Sequence, residues 1–317
     1  MEETSSTSNS DRVPWHFLLP VAAGIVVGCL VLDPLITHGL AWCNPSFGAT
    51  KVHRMFTEEH PGEVPILGSS RADGSYVPEL IHPAAWNYGI EETGYEVTRM
   101  MLERELAKPD RGPVIINFDH SFFQPYKPNI AHFIPEVRQP AVAACFSHRL
   151  HWYNHVPTVR YFGVTDEYLK AFLSKYASGT VQSRGGIFTK NIISAAELAQ
   201  MTGMRAASPH AWAPRPGQEQ AWLDLLASTT RTMVVVVAPY HPSYLRTDTN
   251  PAAVQHYLHR MDALPNVQVI DLSAMPLPDS CFQNTTHVNW AGAVRFSKEL
   301  RTRLNGLDLV PIRRDQR

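Results

Sequence analysis

"VPILGSSRADGSYVPELIHPAAWNYGI", residues 64 to 90, is the stretch on which the fold reading turns. The apolar run Val64 to Leu67 ends abruptly in Gly68, Ser69, Ser70 and Arg71. Such a run, bounded by turn residues, predicts a strand buried on both faces, and "AWNYGI" at 85–90 predicts a second, short one. Working outward, "GYEVTRMMLERELAKP" (94–109) has apolar residues at helical spacing and closes at a proline. "GPVIINFDHSFF" (112–123), "TMVVVVAPYHPSY" (232–244) and "NVQVIDLSAM" (266–275) read as three further strands. "PAAVQHYLHRMDAL" (251–264) and "NWAGAVRFSKELRTRL" (289–304) read as helices beside the last two. Strands apolar on both faces and separated by helices predict an α/β protein: a three-layer α/β/α sandwich around a central parallel sheet. In such sheets ligands bind at the carboxyl ends of the strands, here the loops opening at Gly68, Gly89, Asp119, Pro239 and Pro276.

The alternation fails between 124 and 217, which is too long for a loop in a compact domain. Its prolines, aromatics and one amphipathic stretch, "TDEYLKAFLSKYASG" (165–179), predict a mostly helical insertion walling the sheet's carboxyl edge. The expected organisation is a disordered leader (1–14), an apolar anchor (15–33), a linker (34–63), the α/β/α domain (64–310) containing that insertion, and a basic tail (311–317). Phe17 to Leu32 carries no charge over about 16 residues, slightly short of the ~20 that span a bilayer. Mid-segment Gly24 and Gly28 favour a membrane helix over a core helix. A secretory signal cut after Ala41 is the main rival, disfavoured because the leader lacks a basic cluster. Arg12 on one side against Lys51 and Arg54 on the other leaves orientation undecided by charge.

A formal net charge of −1 over 317 residues gives no global attraction to nucleic acid, so none is expected as a partner. Of four cysteines, Cys43, Cys145 and Cys281 lie outside the apolar segment and permit at most one internal disulfide, without zinc spacing. His148, His151 and His155 would share one face if 147–156 were helical. With no carboxylate or cysteine to complete a ligand set, a polar and aromatic groove lining or a plain packed surface fits them better than a metal, and no cofactor is expected.

Ser70 is the first candidate nucleophile: a serine at a strand exit can face the crevice beside backbone amides. The same tripeptide fits an ordinary turn in which Ser69 caps a helix. His287, in "CFQNTTHVNWAGAVRF" (281–296), lies after the last strand and therefore on the same edge. In "APYHPSY", Pro239 and Pro242 would hold His241 toward the crevice to contact an acyl donor or a sugar hydroxyl, or the loop is a simple turn.

"ILGSSR", "NYGI", the strand end "NFDHSFF" and "NTTHVNWAGA", in this order, resemble the SGNH (GDSL-type) hydrolase superfamily. The likeness is strongest to the membrane-anchored branch that includes the D-alanine transfer protein of teichoic acids and the alginate O-acetylation proteins. It covers 64–119 and 234–304 and leaves the insertion unaligned. The resemblance implies a flavodoxin-like fold with Ser70 as nucleophile and Ser69 where relatives often carry aspartate. It implies oxyanion donors at the Ser70 and Gly89 amides, with Asn87 beside the latter. Asn117 or His120 would replace the family's third donor. The family's DxxH becomes Asn284-Thr285-Thr286-His287, so His287 is the expected base. Either Asn284 supports a dyad, or Asp279 supplies the carboxylate, or the site binds without turnover. The activity implied is that of a serine O-acyltransferase or esterase acting on an extracytoplasmic polysaccharide, with a membrane-bound acyltransferase supplying the acyl group. The rival is a catalytically silent glycan-binding or scaffold subunit.

Overall fold

The computed structural model describes residues 15–109, 112–173, 180–208, 212–248 and 250–305. The expectations for the leader and the basic tail lie outside these residues. The helices are α1 (Trp15–Cys43), α2 (Gly48–Thr57), α3 (Ser70–Ser75), α4 (Pro78–Ile81), α5 (Tyr95–Leu106), α6 (Pro140–Phe146), α7 (Thr165–Leu173), α8 (Ala195–Ala207), α9 (Gln218–Ala227), α10 (Pro242–Thr247), α11 (Pro251–Asp262) and α12 (Trp290–Asn305). The strands are β1 (Val64–Leu67), β2 (Ala85–Asn87), β3 (Val114–Asn117), β4 (Thr180–Ser183), β5 (Gly186–Thr189), β6 (Met233–Val237) and β7 (Val267–Asp271).

The protein is α/β with a central five-stranded sheet in the order β2-β1-β3-β6-β7, every pairing parallel. β1, β3 and β6 are buried at every position, which is why they read as unbroken apolar runs. Successive residues feed opposite layers. Ile66, Ile115, Val234 and Val236 pack with Phe296, Leu300 and Leu304 of α12. Leu67, Ile116, Val235 and Val237 pack with α5, α9 and α11 through Met101, Trp222 and Tyr257. The strand order steps outward in both directions from β1 and β3, so their carboxyl ends meet at the topological switch point where α/β proteins form crevices.

One expectation is corrected. Residues 34–63 are no linker: α1 continues to Cys43, and α2 buries Val52, Met55 and Phe56 in the main core. The insertion is built mainly of helical segments, with one addition that the sequence did not mark. It holds α6, α7 and α8 but also several 3₁₀ turns and the antiparallel hairpin β4–β5. The hairpin turns at Arg184 (φ 39°) and Gly185 (φ 92°), two consecutive positive values that match the strand twist of a tight two-residue loop. Asn87 donates its backbone N–H to the Arg184 carbonyl at 2.9 Å, which docks the hairpin tip on the outer edge of β2. β5 lies against α3 and becomes a wall of the crevice.

α1 is apolar and largely bare. Leu18, Leu19, Val21, Ile25, Val26, Val27 and Leu30 to Leu32 are all exposed. The helix is long and apolar enough to cross a membrane, and an anchor and a signal sequence both meet that description. The four cysteines are free.

Candidate active site

β1 ends at Gly68, whose φ of 145° turns the chain sharply and which has no room for a side chain: a Cβ there would lie 2.9 Å from that of Asn117. The turn leads directly into α3. Ser69 is its N-cap and accepts from the Arg71 amide at 3.2 Å, while Ser70 is the first helical residue. The Ser70 N–H therefore has no acceptor within the helix and sits at the positive end of its dipole. Ser69 is the cap, and Ser70 lines the crevice, so the turn geometry and a serine facing the crevice coexist.

Ser70 and His287 are 217 positions apart, and the fold places Ser70 Oγ 2.9 Å from His287 Nε2. Asn284 Oδ1 accepts from the backbone N–H groups of Thr286 (2.9 Å) and His287 (2.8 Å), and it stands 3.1 Å from His287 Nδ1. Two backbone donors on one side-chain atom require that atom to be the amide oxygen. An amide oxygen only accepts, so His287 carries its proton on Nδ1 and turns the Nε2 lone pair to Ser70. Thr286 Oγ1 lies 3.0 Å from the same Nδ1. Burial first, then the nearby Arg71 guanidinium, lower the His287 pKa to about 4, partly opposed by Asp119. The ring is neutral near pH 7, with its Nε2 facing the Ser70 hydroxyl.

Arg71 ties this edge together, and the sequence reading gave it no part. Its Nε donates to Thr286 O (2.9 Å), Nη1 to Asp119 Oδ1 (3.0 Å) and Nη2 to Ala238 O (2.5 Å) and Pro239 O (2.8 Å). It also lies over the Tyr240 ring at 3.3 Å. One buried side chain thus joins α3 to the loop that carries His287 and to the exits of β3 and β6. Asp119 completes the brace by accepting from Ser69 Oγ and from Asn117 Nδ2.

Several predicted residues stand elsewhere. Asp279 is 71% exposed at its side chain and meets His241 Nε2 at 3.1 Å, so it does not stand behind His287; Asn284 occupies that place. His241 is buried, caps α10 and faces Asp279 and Ser243 rather than the crevice. Asn117 is fully buried, accepting from Tyr76 and donating to Asp119. His120 turns away, with Nδ1 2.6 Å from Asp248 Oδ2. Neither side chain is a donor at Ser70. Asn87 is also fully buried, and its Oδ1 takes the Gly89 N–H at 2.9 Å, which removes that amide as an oxyanion donor. Gly89 is required for packing instead, since a Cβ there would meet the Asp73 amide nitrogen at 2.3 Å. His148, His151 and His155 share no helix: only Trp152–His155 is a 3₁₀ turn, and none of the three lines the crevice. Among the described residues no cluster of His, Cys, Asp or Glu is suited to a metal.

The crevice over Ser70 measures about 530 Å³. Its walls are the hairpin (Thr180, Ile187), the turn Glu91–Thr93, the loop that carries His287, and Tyr126 with Arg205 of α8. Glu92 is held at φ 55°, a conformation that non-glycine residues adopt mainly where the surroundings impose it and that clusters at functional sites.

Beneath the floor, Lys51 of α2 is 1% exposed and donates to Asp73 Oδ1 at 2.7 Å and to Gly89 O at 2.6 Å. Asp73 also accepts the Ile187 N–H at 3.1 Å, so it links α2, α3 and the hairpin wall. Burial raises its pKa to about 6 despite the attraction of Lys51. Because this value is raised on folding, the stabilising contribution is complete at acid pH and is lost as pH rises through about 6. Lys51→Met leaves a buried carboxylate unpaired and is expected to cost about 3 to 5 kcal/mol at about pH 8. Denaturant unfolding of the full chain in detergent measures it, and the deficit should shrink near about pH 5, where Asp73 protonates.

No family model matches this sequence, and no curated protein matches it. Among solved structures it is similar to one from Streptococcus pneumonia described as a candidate platelet activating factor. The match covers 87% of this chain and 99% of that one, at 10% identity and a TM-score of 0.38. At that level of likeness nothing about chemistry transfers.

Proposed function

We propose that the protein is a membrane-anchored serine esterase or O-acyltransferase of SGNH type that acts on esters of an extracytoplasmic glycan. The observation that carries this reading is the relay Ser70 Oγ, His287 Nε2 and Nδ1, Asn284 Oδ1 at the mouth of a crevice. His287 takes the Ser70 proton as Oγ attacks the acyl carbonyl, and the carbonyl π pair moves to oxygen as a tetrahedral oxyanion forms. The Ser70 amide at the start of α3 is the donor assigned to that charge, and the strained turn at Glu92 forms part of the crevice wall beside it. Collapse expels the leaving oxygen, which receives the proton from His287, and leaves an acyl-serine. Water or an acceptor hydroxyl then attacks the acyl group by the same steps reversed. Exposed apolar α1 supports the anchor, and a membrane-bound acyltransferase is the partner that would load the serine.

The second reading is a silent glycan-binding subunit, and Asn284 is the observation that favours it. A carboxylate would stabilise the imidazolium electrostatically, whereas an amide only orients the ring. A fluorophosphonate probe separates the two: labelling of wild type that is lost in Ser70→Ala supports the enzyme, and absence of labelling on folded protein supports the binder. Because His287 must be neutral to act and its pKa is near 4, kcat/KM is expected to stay level down to about pH 5 and to fall through a limb near pH 4. A pH–rate profile with its acid limb near about 6.5 would instead show an unperturbed base.

A further inference from the structure

The insertion grips α1 part-way along its length. Thr158 Oγ1 donates to the Cys29 carbonyl at 2.6 Å, and its N–H donates to Asp33 Oδ1 at 2.6 Å. Arg160 closes on the same carboxylate through Nε (2.8 Å) and Nη2 (2.6 Å), and Tyr161 bonds Thr37. Asp33, Thr37 and Leu40, spaced four and three, are the buried stripe of this part of the helix, while Leu32 and Leu35 stay exposed. Thr158 holds φ 61°, a strained conformation for a β-branched residue that these bonds impose. The uncharged stretch from Phe17 to Leu32 spans only about 24 Å of helix, short of the ~30 Å of a bilayer core. Neutralising Asp33 inside the protein extends the apolar exterior to Leu35, about 28 Å.

The turns that make this grip carry Trp152, Phe162 and Val159 on their outside, 77%, 76% and 37% exposed. They are one unit: Arg160 N donates to Val156 O at 2.9 Å, and Asn154 Nδ2 donates to Arg160 O at 3.5 Å. Thr158 and Arg160, which lie between these two bare rings in the chain, bond α1 at residues 29 and 33, so the rings belong to the unit that meets the apolar helix there. Tryptophan concentrates at the membrane–water boundary because its ring lies against the acyl chains and its indole N–H among headgroups, and an exposed phenylalanine in the same unit adds apolar area to that contact. A neighbouring groove runs from Asn44 and Phe47, past the end of α1, to Glu91, Glu92 and Ile187, which it shares with the crevice.

We propose that the Trp152–Phe162 face is a foot that rests in the surface of a phospholipid bilayer, fixing the crevice at a set height and angle to the membrane. The proposal rests on α1 being a membrane anchor. The test uses the full chain reconstituted into phosphatidylcholine vesicles, with and without bromine at acyl carbons 6 and 7. Flotation on a density gradient reports the anchor. The tryptophan emission of wild type minus Trp152→Phe reports the foot, and Phe162→Trp adds a second reporter. The expected result is flotation together with loss, in brominated lipid, of about half or more of the Trp152 signal and of the extra emission that Phe162→Trp introduces. Failure to float overturns the anchor and the foot together. Flotation with both signals unchanged by bromine overturns the foot alone, including the case in which a protein partner rather than lipid covers that face.

Discussion

Ser70→Ala is expected to lower kcat/KM for an aryl acetate by about 10³-fold or more, with the protein still folded. Ser70 Oγ has one hydrogen-bonding partner of consequence, His287 Nε2 at 2.9 Å, and supplies no cap. The capping oxygen belongs to Ser69, which also bonds Asp119. Removing Oγ therefore deletes the attacking atom without unpairing the turn, and the unfolding midpoint should move little. Ser69→Ala supplies the contrast: it strips the α3 N-cap, worth about 1 kcal/mol, and leaves the Ser70–His287 pair in place. The measurement is esterase kinetics beside thermal unfolding for both variants. Equal activity of wild type and Ser70→Ala would remove the serine mechanism.

Asn284→Asp is the second large change, and it should raise rather than lower activity, by about 10-fold or more in kcat. The Asn284 oxygen already accepts from the Thr286 and His287 amides and faces Nδ1, and a carboxylate oxygen can keep all three contacts. What changes is charge. In wild type, burial and Arg71 oppose protonation of His287. A neighbouring carboxylate favours the imidazolium formed as Ser70 attacks, so its pKa rises and the transition state is stabilised. The acid limb of the pH–rate profile should therefore move upward from about pH 4 in the same variant that gains kcat. A gain in rate without that shift would mean the amide was not limiting through imidazolium stability. Asp279→Ala is the control: its carboxylate meets His241, so esterase kinetics should stay close to wild type.

The sheet was legible because burial on both faces forces continuous apolar runs. All five strands fall within the stretches that composition marks, as do α5, α11 and α12. α2 was not legible, because it is a short amphipathic helix with a lysine on its buried face. Lys51 belongs there only because Asp73 and the Gly89 carbonyl, distant in sequence, meet it. The hairpin β4–β5 escaped for a related reason: its strands are only four residues long, and β4 buries none of its side chains fully.

Sequence alone determined that a serine on a β1 exit and a histidine after β7 lie on one edge, because parallel α/β topology sends all strand ends the same way. It also determined that the residue three before that histidine is an amide. Only the tertiary structure decided which groups are free to act. Gly89, Asn87, Asn117, His120 and His241 are all present on that edge, yet packing gives each of them a hydrogen-bond partner inside the protein because an unpaired polar atom there is costly, although His120 Nε2 is left without one. The same rule placed Asn284 behind His287, gave Asp279 to His241, and recruited Arg71 as the brace between loops that the sequence holds far apart.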